Sequence, residues 1–388
     1  MTLIRNRWTP VVPLAATALL VLLGPSVRAE EETANALSAE EVAAGWIQLF
    51  DGETTFGWTV RAENPAEAVA VVDGALVIRG PAVVRTTTEF GPSTIRFASR
   101  YAGAGDALMA LIRPDTKPAA LLVLGSDGPT APDSWDRYEV TADAEGIDGR
   151  TETRDGEFLA AGVFREKYLV SGPVRQAVGF RVGEGATLML RDVELKPEAM
   201  EPLFNGEDLT GWKVLDGGES VYSVTDEGYL NVSNGRGDIQ TEGQYDDFIL
   251  QLDIFSNGEH LNSGIFFRAI PGEFWSGYES QIRNEYEGDD RTKPVDYGTG
   301  AIYRRVAARK VVADDFEWFT KTLIAHGNHF AVWVNGYQVT DWHDDREPAD
   351  NGRNGFKAAP GVISIQGHDP TTDLSFRNIR IGELPGEE

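Results

Sequence analysis

Three short stretches in the second half of the chain bring together side chains that could do chemistry on one surface. In Gly277-Tyr278-Glu279-Ser280-Gln281-Ile282 a strand would turn Glu279 and Gln281 to the same face, because side chains alternate along a strand. In Gly361-Val362-Ile363-Ser364-Ile365-Gln366-Gly367-His368 the same alternation pairs Gln366 with His368. In Asn262-Ser263-Gly264-Ile265-Phe266-Phe267-Arg268 it groups Arg268 with Phe266 and Gly264, the glycine leaving room beside a ligand. If these strands line one concave sheet, that face holds a carboxylate, an imidazole, a guanidinium and two amides. A sugar needs such donors and acceptors, with Trp275, Tyr278 and Tyr303 as aromatic platforms. Each group also has a structural alternative. Arg268 could pair with Glu279 across strands, His368 could be a hydrogen-bonded strand end, and Gln281 and Gln366 could be ordinary polar strand residues.

No cofactor is certain from the sequence, and a divalent metal is the one left open. His326-Gly327-Asn328-His329 and Asp341-Trp342-His343-Asp344-Asp345 hold ligand types but no recognised metal spacing, and look like polar turns flanking a hairpin. His260, Glu279 and His368 could also converge on an ion. There is no phosphate-binding glycine loop, nucleophile elbow or Cys/His dyad; Gly235-Arg236-Gly237 is an isolated loop.

The elements that must position these groups are strands, and the chain contains the set twice. Leu49-Phe50-Asp51-Gly52-Glu53 followed by Gly57-Trp58 recurs as Leu203-Phe204-Asn205-Gly206-Glu207 followed by Gly211-Trp212. That spacing suits a whole domain. The phrase recurs in both copies, which marks it as a turn and packing device. Val69 to Ile78 is expected to form a hairpin about Asp73-Gly74, and Tyr222 to Val232 the same device. Phe248 to Phe255 alternates as a half-buried strand should. Ala331 to Val339 is a hairpin about Asn335-Gly336, with a counterpart through Thr153 to Phe158. The closing strands are Leu190 to Leu195 and Phe376 to Ile381. The second copy is longer, with much of the gain expected between Arg268 and Glu317. Ser38-Ala39-Glu40-Glu41 signals a short helix start. The expected fold is all-β: two tandem jelly-roll sandwiches, residues 30–197 and 198–388, linked near Lys196 to Pro202, after a signal peptide over residues 1–29.

Composition narrows the partners. Arg5 and Arg7 precede an apolar run from Val11 to Leu23, and Val27-Arg28-Ala29 resembles a cleavage site. An exported protein of the periplasm, cell surface or medium is expected, with no membrane association after cleavage. There is no Cys, hence no disulfide framework and no lipid-modified cysteine. The formal charge is -26; losing Arg5, Arg7 and Arg28 with the signal gives -26 - 3 = -29. Such a charge disfavours nucleic acid and anionic membrane surfaces and suits a neutral ligand.

The second copy resembles a known family. Leu203 to Trp212, Asn262 to Arg268, Gly277 to Ile282, Thr299-Gly300-Ala301-Ile302-Tyr303, Val332 to Gly336, Gly361 to His368 and Phe376 to Ile381, in that order, are similar to the 3-keto-disaccharide hydrolase family, also described as 3-keto-glucoside lyase/hydratase domains. The resemblance spans nearly all of residues 200 to 384. It implies a concanavalin A-like jelly roll, usually exported, acting on or binding sugars. It also implies a reaction on an oxidised disaccharide or glycoside. A ketone at C3 acidifies the C2 proton, a base removes it, the C1 substituent leaves, and water then adds to C1. Carried onto this sequence, His368 or Glu279 is the base and Arg268 stabilises the enolate oxygen. The other member of the His/Glu pair, or Tyr303, protonates the leaving oxygen. Gln281, Tyr303, Gln366, Asn262, Asn284, Trp275 and Tyr278 bind substrate. The family motif often carries an acid just after Gln-Ile, where this chain has Arg283-Asn284 and then Glu285. The first copy keeps the scaffold motifs and lacks the polar strands, so it is expected to bind or to stabilise. Rival functions are a carbohydrate-binding protein without turnover, and an interaction module whose acidic surface takes a basic partner. A conventional glycosidase needs two carboxyl groups about 5–9.5 Å apart. The matched strands offer only Glu279, with Glu285 and Glu287 on a presumed loop.

Overall fold

The computed structural model describes residues 34–112, 118–125, 134–143, 147–152, 158–160 and 175–384. The signal-like segment lies outside them. The fold is all-β, as the turn-rich sequence suggests. Strands dominate, beside short helices at Ala39–Ala43 and Pro65–Ala68 and one 3-10 turn at Val295–Tyr297. The first helix begins at the expected place, with Ser38 and Glu41 capping each other reciprocally.

Each half is a pair of antiparallel sheets, and the two halves repeat one topology. The N-terminal eight-stranded sheet runs Val69–Val72, Ala75–Arg79, Ala186–Pro197, Ser93–Gly103, Asp136–Ala142, Ile147–Glu152, Phe158–Ala160, with Ile47–Gln48 paired to Ala186–Pro197. The C-terminal one runs Val221–Val224, Leu230–Ser233, Asp373–Glu383, Phe248–Ser256, Trp318–His326, His329–Val334, Tyr337–His343, with Glu201–Pro202 paired to Asp373–Glu383. The five-stranded sheets correspond likewise. Trp58–Ala62, Ala82–Thr86, Ala177–Val182, Ala107–Ile112 and Pro118–Gly125 match Trp212–Val214, Gly237–Thr241, Val362–Gly367, Ser263–Ala269 and Tyr278–Ile282.

The repeated phrase is a turn with a fixed ring behind it. Asp51 and Asn205 each accept two backbone N–H bonds through Oδ1, from Glu53 and Thr54 in one half and from Glu207 and Asp208 in the other. The indole N–H of Trp58 donates to Leu49 O at 2.6 Å, and that of Trp212 to Leu203 O at 2.8 Å. Gly52, Gly57, Gly206 and Gly211 all hold positive φ, the backbone shape that favours glycine here. The hairpin at Asp73-Gly74 forms as expected. Its C-terminal counterpart pairs Val221–Val224 with Leu230–Ser233 across a longer loop, 225–229. Ile147–Glu152 pairs with Phe158–Ala160, while the turn 153–157 between them lies outside the described residues.

Phe248–Ser256 is buried on both faces apart from Phe255, not half-buried. The reason is the other half of the chain. Ile249, Ile324, Ala331 and Trp333, on the outer side of the C-terminal eight-stranded sheet, join the apolar cluster of the N-terminal half. Trp333 packs 6.2 Å from Phe90 and donates to Gln48 O at 2.8 Å. Ile249 and Ile324 each contribute about 1.5–3 kcal/mol on burial, and the halves form one packed unit.

Candidate functional site

The C-terminal five-stranded sheet has one apolar face and one polar face. Ile239, Ile265, Phe267, Tyr278, Ile282, Ile363 and Ile365 point into the sandwich core. Asp238, Gln240, Gly264, Phe266, Glu279, Gln281, Ser364 and Gln366 alternate with them on the opposite face. The register sets Gly264 between Gln281 on one neighbouring strand and Gln366 on the other. Loops close over this face, since Asp238, Gln240, Glu279, Gln281, Ser364 and Gln366 are all buried. The loops are 270–277, whose Gly272, Glu273 and Trp275 backbone bonds Gln240 and Asp238, the connection 283–317 and the segment 344–361. The corresponding connection of the N-terminal half is only 126–135, which places the expected insertion.

Glu279 is the central acid. Its Oε2 accepts from Arg353 at 2.7 Å. Its Oε1 lies over Gly264, where a Cβ would come within 2.6 Å of it. The glycine therefore makes room for the carboxylate itself. Burial pushes the Glu279 carboxyl up, while Arg353 and His368 pull it back. Gln281 is held through Nε2 by Asp296 O at 3.1 Å and Oδ2 at 3.2 Å, and Asn262 donates to the same Asp296 Oδ2 at 3.1 Å. The Oε1 atoms of Gln281 and Gln366 and the indole Nε1 of Trp275 are buried with no hydrogen bond in the chain. Buried polar atoms without partners are costly unless a ligand satisfies them.

His368 closes one end of the site. Its Nδ1 is 2.8 Å from Asp369 Oδ2, and its ring lies parallel to Trp275, 9° apart with centroids at 5.9 Å. Among the described residues its Nε2 has no partner. Trp275 also carries the Arg236 guanidinium 4.2 Å from its ring, so it fixes neighbours as much as it offers a platform. Asp238 accepts from Ser364 Oγ at 2.7 Å and from the Trp275 N–H at 2.9 Å; burial raises it to about 7. Tyr303 donates its backbone N–H to Glu279 O at 2.9 Å, and its ring lies 5.9 Å from the Arg353 guanidinium.

Several expected roles are corrected. Arg268 neither reaches the polar face nor pairs with Glu279. A bulge between Phe266 and Ala269, with φ 47° at Arg268, turns its side chain the other way. It is fully buried, donating to Asp246 O, Gly327 O and Lys357 O at 2.7–2.9 Å and pairing with Asp247 at 2.9 Å. Asp247 also binds Arg175, which binds Glu89, so this chain of charges joins the two halves. Arg353, from the 344–361 loop, occupies the place expected of Arg268. Tyr278 is a core residue, stacked on Phe267 with its hydroxyl donating to Asp344 at 2.7 Å. Asn284 spends both ends of its amide on Thr299 and Asp315, so it builds the loop. His260 sits 3.5 Å from Asp315, not with Glu279 and His368.

Beneath the site lies a residue the sequence did not single out. Lys321 projects from the eight-stranded sheet into the core and donates to Ser280 O at 3.2 Å and Gln281 O at 2.8 Å, under the strand that carries Glu279. Burial lowers its ammonium to about 7, against a smaller upward pull from Glu279. Between that value and the ordinary 10.5, the unfolded chain holds a proton that the folded chain has lost, so stability rises with pH. Replacing Lys321 with Met is expected to flatten the rise between pH 7 and 10.5 in denaturant melts. An unchanged slope would remove Lys321 as its source.

The fold is all-β, and the family-model match of its C-terminal half supports a carbohydrate-active function. Residues 199–382 match the family model described as the 3-keto-alpha-glucoside-1,2-lyase-like domain. Among solved structures, a protein from Parabacteroides distasonis described as a candidate glycosyl hydrolase is 23% identical, with a TM-score of 0.39 over 48% of this chain and 95% of that one. A second from the same organism is 26% identical, with a TM-score of 0.39 over 48% of this chain and 100% of the other. The carbohydrate-binding module CBM66 from Bacillus subtilis is 18% identical, with a TM-score of 0.33 over 45% and 97%. No curated protein sequence matches.

Proposed function

We propose that the C-terminal domain cleaves 3-keto-glycosides by elimination and rehydration at C1, within an exported protein. The observation that carries this reading is the buried Glu279 beside Arg353, on the same sheet face as the unpartnered oxygens of Gln281 and Gln366. Glu279 takes the C2 proton, its raised pKa making it a stronger base than an exposed carboxylate. The electron pair moves into C2–C3 and onto the C3 oxygen, where the Arg353 guanidinium supplies positive charge. The enolate then collapses to a C1–C2 double bond and a restored C3 ketone, and the C1–O bond breaks. His368 delivers a proton from Nε2 to the leaving oxygen, with Asp369 fixing the other ring nitrogen. Water adds its oxygen to C1 and gives a proton back to His368, while Glu279, after its acquired proton has exchanged with solvent, protonates C2, so the net change is hydrolysis.

The test is turnover of 3-keto-trehalose and 3-keto-sucrose beside trehalose and sucrose. Release of 3-keto-glucose from the oxidised sugars alone is expected. Saturable binding of sugars without any turnover would replace this reading with that of a carbohydrate-binding module.

A further inference from the structure

A second polar cluster lies away from this face, on the outer side of the C-terminal eight-stranded sheet where the N-terminal half covers it. The pairing register sets His326 opposite His329, and His329 opposite His343, across three adjacent strands. Asp341 shares its face with His343, two residues on. The donor atoms of His329, Asp341 and His343 all lie within 4.8 Å of one another. The His329 and His343 rings stack at 4.2 Å.

The hydrogen bonds around the cluster fix which nitrogens face inward. His326 Nε2 accepts the Glu89 N–H at 3.4 Å, so the proton it shares with His329 Nδ1, 3.1 Å away, sits on His329. That leaves His329 Nε2 turned toward Asp341 Oδ1 at 2.5 Å. The other Asp341 oxygen accepts the Thr87 hydroxyl at 2.5 Å, and Thr87 belongs to the N-terminal half. A ring nitrogen and a carboxylate oxygen, both acceptors, need a cation between them: a proton or a metal ion. His329 and Asp341 each have their outer atom held by a neighbour, the arrangement that orients metal ligands, and a His343 nitrogen lies within 4.8 Å of their inner atoms. Two imidazoles and one carboxylate suit a zinc-class divalent ion, whose bonds of about 2.0–2.2 Å need only a small closing of these donors. His329 is buried and His343 is exposed, so the ion has a route in from solvent.

We propose that His329, Asp341 and His343 form a zinc-class metal site that ties the two halves together, with His326 and Thr87 orienting its ligands. The site is separate from Glu279 and does not depend on the catalytic reading. The test is titration of chelator-treated full chain with Zn²⁺ by calorimetry, for wild type, His343→Ala and Asp341→Asn. One ion per chain is expected, weakened at least about a hundred-fold in both variants, with Zn²⁺ raising the melting temperature of wild type alone. His343 is exposed, so His343→Ala should fold even if Asp341→Asn does not. No saturable binding by wild type, or equal binding by His343→Ala, would show that the cluster holds a proton and overturn the proposal.

Discussion

Glu279→Gln is expected to lower turnover of 3-keto-disaccharides by about a hundred- to ten-thousand-fold, the range general-base catalysis supplies. The amide keeps the shape that fits over Gly264 and can still accept from Arg353, so melting should be nearly unchanged. What it removes is the lone pair that takes the C2 proton. The ratio of kcat to KM should fall mainly through kcat, because the substitution leaves the unpartnered polar atoms of Gln281, Gln366 and Trp275 in place. A variant with near wild-type kcat would shift the base to His368.

The second large effect is on stability. Arg268→Met is expected to cost about 3–5 kcal/mol, the range for removing one member of a buried ion pair. Methionine fills much of the stem's space but abandons three backbone carbonyls and the Asp247 carboxylate. Asp247 also ties Arg175 and the Gly327 N–H, so the damage reaches the contact between the halves. Denaturant melts measure the loss. At a temperature where the variant is folded, its kcat and KM should stay within a few-fold of wild type. A loss of kcat near a thousand-fold in a folded variant would restore Arg268 to the chemistry.

Arg268 also shows where the sequence stopped being legible. Strand alternation paired Glu279 with Gln281, and the sheet register sets Gln366 of another strand on the same face. The same rule places Tyr278 on the opposite face from Glu279, so its core position was available from spacing. Arg268 escaped because one bulge reverses the alternation, and no local residue pattern announces a bulge. Asp238 was within reach, since Gly237–Thr241 alternates and Asp238 shares a face with Gln240. Arg353 was not, because it arrives on a long loop whose path depends on the sheet beneath it. The full burial of Phe248–Ser256 was invisible for a different reason. Its outer face looks solvent-facing in the strand pattern and is covered by residues far away in the chain.

The measurement that bears most directly on the proposed chemistry is the fate of the C2 hydrogen when wild type turns over 3-keto-trehalose in deuterium oxide. Elimination and rehydration predict one deuterium at C2 of the released 3-keto-glucose, beyond the exchange of released sugar incubated alone. Release of 3-keto-glucose with the original hydrogen retained at C2 would contradict it and place cleavage directly at C1.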